Sequence, residues 1–246
     1  MLNKYKLYNA DTVEATQSNI SNESIDLVLT DPPFGVGFKN DFYNDSEEYI
    51  LTNIDKWFSE WYRILKEGSY LVIFVGVKTI HTWIQKGIEA GFEYKNILAT
   101  RSFNNGAPSP KNNFGFQFQP ILLFSKGKGK DFNEVDFIPT SEEWFKDKRN
   151  KNPKPFTYQY PNWIKTEWSF ASEKRASKNL HPNEKNVELL SFIVELLTQP
   201  NETVFDGFAG SGSTGVASLS KNRKFVGVEI DNNYYDFILK RLSKHK

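Results

Sequence analysis

Asp31, Pro32, Pro33 and Phe34 follow directly on the apolar run Ile25–Thr30 and are succeeded by Gly35 and Gly37. A carboxylate accepts hydrogen bonds, two prolines fix φ and withhold two N–H donors, and a phenyl ring offers a flat face. Such a tetrad suits a planar nitrogen. The lone pair of an exocyclic amine on a nucleobase is delocalised into the ring, so the amine is a poor nucleophile until it is drawn toward tetrahedral geometry. Asp31 can accept one of its N–H groups and the Pro32 carbonyl the other, which leaves the lone pair aimed at an electrophilic carbon. Phe34 can stack the base, a contact worth about 1–3 kcal/mol in single-stranded recognition. A base reached this way must leave the duplex stack. The plainer reading is a strand-ending turn with an aspartate cap, and a second loop weighs against it.

That loop is TVFDGFAGSGSTGVASLS, where Thr203–Asp206 reads as a strand and Ser213 onward as a helix. Its glycines let backbone approach a ligand, with unpaired N–H groups of a helix N-terminus nearby. Gly210, Gly212 and Gly215 spell G-x-G-x-x-G, and Glu229 ends the next strand about twenty residues on, where a ribose-binding acid belongs. Taken alone, this fits any nucleoside cofactor, a nicotinamide dinucleotide included, or a glycine turn that only packs a helix on a strand. A P-loop is disfavoured because Ser213 stands where its lysine is required, although Thr214 supplies the hydroxyl. Asp206 would repel a pyrophosphate but would suit a cationic α-amino group. An amino-acid-bearing nucleoside fits best, and S-adenosyl-L-methionine is the common one.

Both loops need a scaffold that brings strand ends together. Strand-like runs occur at 6–8, 25–30, 70–75, 96–100, 120–125, 203–206 and 225–229. Most are unbroken apolar stretches, as in strands covered on both faces. Helical periodicity covers 47–66, where Ile50, Leu51, Ile54, Trp57, Phe58, Trp61, Tyr62 and Leu65 make a stripe and Gly68 follows as a stop signal. Further helices are expected at 79–90, 183–198, 213–221 and 232–243. Strands alternating with helices predict an α/β fold, a doubly wound, mostly parallel sheet. In such a sheet ligands bind beyond the carboxyl ends of the strands, where Asp31 and the glycine loop both fall.

A chain of 246 residues with 39% hydrophobic content can bury one full α/β core. It has no cysteine, which excludes disulfides and thiolate chemistry, and His81, His181 and His245 have no metal-ligand spacing. No metal is expected. The apolar runs are too short to span a bilayer, so the chain reads as soluble and cytoplasmic, with no membrane partner.

Residues 127–180 break the rhythm, with lysine, asparagine, proline and aromatics in no clean period, and read as an insert between a first catalytic part, 1–126, and a second, 181–246. The insert carries Lys146, Lys148, Arg149, Lys151, Lys154, Lys165, Arg175 and Lys178, enough to neutralise phosphates of double-stranded DNA. A solvated lysine-rich face is the bland alternative. The stretch after the tetrad reads as a loop able to close on a flipped base.

Together these residues resemble the β class of DNA amino-methyltransferases, which carry an acidic diproline tetrad early, the cofactor glycine motif late and target recognition between. The order DPPF at 31–34, the irregular basic segment, and FDGFAGSGST at 205–214 is the same. NADT at 9–12, HPNEKNVELLSFIVELLT from His181, and FVGVEIDNNYYDFILKRL are also similar to family passages. The resemblance implies cofactor contacts by Asp11, Lys185, Phe205, Asp206, Gly207, Phe208, Gly210, Gly212, Ser213, Thr214 and Glu229, and catalysis by Asp31, Pro32, Pro33 and Phe34. Phe34 departs from the usual tyrosine, Asn186 from a frequent proline, and Gln119 from a frequent glutamate.

The activity implied is S-adenosylmethionine-dependent methylation of adenine N6 in duplex DNA by base flipping, because tetrads that begin with aspartate mostly belong to adenine enzymes. Cytosine N4, RNA or a protein amide are the enzymatic alternatives, a dinucleotide oxidoreductase another class, and a non-catalytic DNA-binding module a third. A cognate restriction endonuclease and a homodimer are partners that the resemblance suggests.

Overall fold

The short apolar runs pair side by side as one sheet. In the computed structural model, which describes residues 4–35, 37–39, 44–101, 118–133, 135 and 184–245, the chain runs β1 (Tyr5–Asn9), α1 (Thr12–Asn19), β2 (Ile25–Thr30), β3 (Phe38–Lys39), β4 (Asn44–Asp45), α2 (Glu47–Ile64) and β5 (Leu65–Phe74). It continues with α3 (Ile80–Glu89), β6 (Glu93–Arg101), β7 (Phe118–Ser125), α4 (Val187–Leu197), β8 (Thr203–Asp206), α5 (Ser213–Ser220), β9 (Lys224–Glu229) and α6 (Asn232–Leu242).

Seven strands form the sheet in the order β1-β9-β8-β2-β5-β7-β6, with β3 and β4 a separate small antiparallel pair. The pairings from β1 through β5 are parallel, and β7 runs antiparallel to both β5 and β6. The expected mostly parallel α/β sheet is therefore what forms. Parallel pairing puts the carboxyl ends of β1, β9, β8 and β2 on one edge, with β2 and β8 neighbours. Asp31 and the glycine loop meet there.

Side chains alternate across the sheet as a period of two requires. In β5 and the residue after it, Leu71, Ile73 and Val75 enter the layer with α1, α2 and α3, while Tyr70, Val72 and Phe74 enter the layer with α4. The first layer is dominated by rings: Trp57, Phe58, Trp61 and Trp83 are all at most 1% exposed. The planes of Trp57 and Trp83 lie 11° apart with centroids 6.0 Å apart. Each such ring removes roughly 150–250 Å² from water, which makes this layer the main anchor of α2. Leu51 falls off the stripe and is 51% exposed.

Gly68 does not stop α2. The helix ends at Ile64, the chain passes straight into β5, and Gly68, at φ +77°, kinks that strand while its N–H reaches Lys126 O at 2.8 Å. Beyond β7, residues 127–133 pack back on the catalytic body: Tyr70 bonds Lys130 O, and the Asn133 N–H donates to Leu196 O at 2.9 Å. The rest of the expected insert, apart from residue 135, lies outside the described residues. Among the described residues no helix is long and apolar enough to cross a membrane.

Candidate active site

The tetrad starts where β2 stops pairing. Thr30, the last residue of β2, is buried, and its hydroxyl donates to Asp206 Oδ1 at 2.8 Å. Pro32 and Pro33 are buried, and Phe34 is half-buried against the layer containing Phe74. Two contacts hold the turn. Gly35, at φ +77°, donates its N–H to Asp45 Oδ1 at 2.6 Å. Gly76, just after β5, lies so close that a Cβ there would stand 2.6 Å from the Phe34 carbonyl oxygen. Rigid prolines and a tight neighbour therefore fix where Asp31 points.

Asp31 Oδ2 pairs with Lys185 Nζ at 2.5 Å, whereas Oδ1 is buried with no hydrogen-bond partner among the described residues. Burial raises the Asp31 pKa, Lys185 opposes the shift, and the Asp45 charge adds to it. An acceptor left without a donor at the mouth of a cavity is what an incoming N–H would complete.

The glycine loop rises from β8. Asp206 is 3% exposed, and its Oδ1 also accepts the Phe208 N–H at 3.0 Å. Desolvation pushes its pKa up to about 6, against the hydrogen bonds from Thr214, Thr30 and Phe208. Gly207 leaves room for Thr12, whose Oγ1 would be 2.5 Å from a Cβ at that position. The ring of Phe208 meets Trp57 edge-on, centroids 5.1 Å apart, so the loop leans on α2. Gly212, at φ +78°, takes the left-handed conformation that starts α5. Glu229, at the end of β9, accepts the Gly210 N–H at 2.7 Å and the Asp231 N–H at 2.9 Å. Burial pushes its pKa up to about 7 although those two bonds pull it down.

Between the loops lies a cavity of about 190 Å³. It is lined by Asp31, Pro32, Pro33, Phe34, Asp11, Lys185, Asp206, Gly207, Phe208, Gly210, Ser213, Thr214 and Glu229, all expected from sequence. Phe205 and Gly212 are not in the lining. Phe205 is fully buried beneath the loop, because alternation along β8 turns it into the helix layer, and Gly212 packs against Ile238. Asp11 lines the cavity while its Oδ1 caps α1, accepting from Val13 N at 2.8 Å. Tyr49, Ile230, Asp231 and Tyr234 also line it and were not anticipated. The signal for two of them was present in EIDNNYY, where Asp231 caps α6 and so carries Tyr234 to the rim. The expected DNA-contacting residues Lys146, Lys148, Arg149, Lys151, Lys154, Lys165, Arg175 and Lys178 lie outside the described residues.

The charges of this lining decide what it can hold. Among the described residues, five carboxylates (Asp11, Asp31, Asp206, Glu229 and Asp231) face one cation, Lys185, which is already paired. A pyrophosphate would find repulsion here, whereas an ammonium, a sulfonium and a ribose diol would find acceptors. A second hollow, between α2 and α3, offers less, since its Lys86 is held by Asp55 at 3.0 Å and Glu89 at 3.1 Å. Among the described residues no cluster could hold a metal ion.

Known proteins resemble this chain in sequence and in fold. The chain is 27% identical over 238 residues to the DNA adenine methyltransferase YhdJ of Escherichia coli K12, covering 93% of this chain and 79% of that one. Its fold matches the M1.HpyAVI–SAM complex at TM-score 0.65 and 25% identity, over 97% of this chain and all of the other. It also matches the cytosine-N4-specific PvuII DNA methyltransferase at TM-score 0.73 and 18% identity, over 98% and 90% of the two chains. The model of the DNA methylase family matches residues 25–241, spanning both loops and every strand of the sheet but β1, and the chain belongs to that family, the N6 and N4 DNA methyltransferases.

Proposed function

We propose that this chain transfers a methyl group from S-adenosylmethionine to the exocyclic N6 of adenine in duplex DNA, with the base turned out of the stack. The observation that carries the reading is the buried Asp31 Oδ1, without a hydrogen-bond partner among the described residues, in the wall of a cavity that also holds carboxylates and glycine backbone.

The lining fits the cofactor. Asp206 would face the α-amino group, Glu229 and Asp231 the ribose end, and Gly207 and Gly210 would let backbone come close. When bound, S-adenosylmethionine supplies an electrophilic methyl carbon. Asp31 accepts one N–H of the target amine and the Pro32 carbonyl the other, which localises the nitrogen lone pair toward that carbon. As the N–C bond forms, the methyl–sulfur bond would break and S-adenosylhomocysteine would leave; the methylated amine would then lose one proton, for which Asp31, bonded to that nitrogen, would be the acceptor.

Adenine is favoured by the aspartate that opens the tetrad and by the named specificity of the Escherichia coli relative. The lysines and arginines between 146 and 178 would neutralise the DNA backbone.

The test is incubation with tritiated cofactor and unmethylated genomic DNA, followed by nucleoside analysis. N6-methyladenine is the expected product, lost in Asp31→Ala while cofactor binding persists. N4-methylcytosine would overturn the choice of base but not methyl transfer. Full labelling by Asp31→Ala would overturn the role of Asp31.

A further inference from the structure

We propose that Lys185 is a positioning residue for Asp31: its ammonium holds the carboxylate ionised through Oδ2 and so presents Oδ1 to the target amine. This rests on the methyl-transfer reading for its purpose, though not for its test.

The sequence resemblance assigns Lys185 to the cofactor, and Lys185 does line the cavity, but its ammonium is engaged by the tetrad. Lys185 Nζ sits 2.5 Å from Asp31 Oδ2, with the lysine side chain 11% exposed. The same nitrogen lies 5.1 Å from the centroid of Phe34 and 5.4 Å from that of Phe74. One carboxylate oxygen and two ring faces thus surround the ammonium. Asp31 and Phe34, the first and last residues of the tetrad, are both held by one cation. Phe34 needs no hydroxyl for this contact, which gives a use to the ring that replaces the usual tyrosine.

The backbone around Lys185 is anchored on both sides. Glu184 pairs with Arg241 of α6 at 2.5 Å and accepts from the Ser213 hydroxyl at 3.3 Å. Asn186 caps α4, its side chain accepting from Glu188 N at 2.8 Å and Leu189 N at 3.1 Å. The residue between two such anchors has little freedom in where its side chain begins. Asn186, unlike a proline, brings its own acceptor to the cap.

Charge makes this cation necessary. Asp31 faces Asp45 from β4 and Asp206 from β8, both acidic, and Lys185 is the cation set against them. Without it, Asp31 would take up a proton more readily and would lose acceptor capacity when it did.

The test uses the full chain and Lys185→Gln, which keeps a donor and removes the charge, with Lys185→Arg as rescue and Lys185→Met as a second neutral variant. A carbon-13 titration of the Asp31 carboxyl, which needs no turnover, is expected to show the pKa rising by about one unit or more in either neutral variant and returning in Lys185→Arg. With wild-type enzyme active, the acidic limb of kcat should move up by the same amount, about a tenfold loss near that limb, with cofactor affinity unchanged. An unmoved Asp31 titration in the neutral variants overturns the proposal. So does loss of cofactor affinity with the limb unmoved, which would return Lys185 to the cofactor. A wild-type chain that labels no DNA at any pH would sink the methyl-transfer reading instead, and the carboxyl titration would still judge Lys185.

Discussion

Thr30 and Asp206 are 176 residues apart in sequence and are joined by a hydrogen bond of 2.8 Å from the threonine hydroxyl to Asp206 Oδ1. Each ends its strand, β2 and β8, and the two strands are neighbours in the sheet. The bond ties the loop that handles the amine to the loop that handles the cofactor. Replacing Thr30 by valine keeps the shape and removes the donor. A hydrogen bond to a charged group is worth about 1.5–3 kcal/mol, so Thr30→Val should lower unfolding free energy by about that much in denaturant titration. Thr30 also helps keep Asp206 charged, so the variant should bind cofactor more weakly at neutral pH. Unchanged stability would mean that the two loops are not coupled through this pair.

Asp206 and Glu229 make the free protein sensitive to pH. Burial raises Asp206 to about 6 and Glu229 to about 7. A folded-state pKa above the unfolded value means that the folded chain binds more protons, so stability falls as pH rises through that interval. The contribution of these two groups should be lost between about 4 and 6 for Asp206 and between about 4.5 and 7 for Glu229. A cationic ligand reverses this by favouring the charged carboxylates. Calorimetric binding of S-adenosylmethionine near pH 6.5, repeated in buffers of different ionisation enthalpy, should therefore report proton release. Proton uptake, or none, would refute the placement of its cationic end beside these acids.

Gly76 tests the rigidity of the tetrad without touching it chemically. A methyl group there would stand 2.6 Å from the Phe34 carbonyl oxygen, so the loop must move. A displacement of about 1 Å in a reacting group can cost on the order of a hundredfold in rate. Gly76→Ala should lower kcat by about that factor and leave cofactor affinity as it was, since the glycine loop lies elsewhere. Equal kcat in the variant would show that the tetrad tolerates displacement.

The strands that carry chemistry were the most legible part of the sequence. Ile25–Thr30 and Thr203–Asp206 are short apolar runs ended by residues that cannot continue buried pairing, and both have those limits in the structure. Helix α1 was not legible. TVEATQSN has no apolar stripe, and the helix is held by the Asp11 cap and by Arg63, whose guanidinium reaches Thr16 O at 3.0 Å and Ile20 O at 2.9 Å from 43 or more residues away. Gly68 misled because a glycine of positive φ serves a strand kink as well as a helix stop. Phe205 was assigned to the cofactor because its neighbours in FDGFAGSGST are loop residues, yet strand alternation sends its ring into the core. The pair between Lys185 and Asp31 spans the two sequence-remote halves of the site, and no local pattern records such a pairing.

Phe208 is the place where the glycine loop leans on the body of the fold, and its removal should separate binding from chemistry. Its ring meets Trp57 edge-on at 5.1 Å, and Trp57 is itself stacked on Trp83 within a fully buried layer. Edge-on aromatic pairs contribute about 0.5–1.5 kcal/mol beyond the area they bury. Phe208→Ala should therefore destabilise the chain by more than that amount, because the buried part of the ring is lost as well. Phe208→Leu should recover most of the area but not the ring contact. The loop, unsupported, would close less well on the cofactor, so KM for S-adenosylmethionine should rise in the order wild type, leucine, alanine. The tetrad stands on another strand with its own supports at Gly35, Asp45 and Gly76, so kcat at saturating cofactor should fall far less than KM rises. A fall in kcat alone, with KM unchanged, would place Phe208 with the base and not with the cofactor.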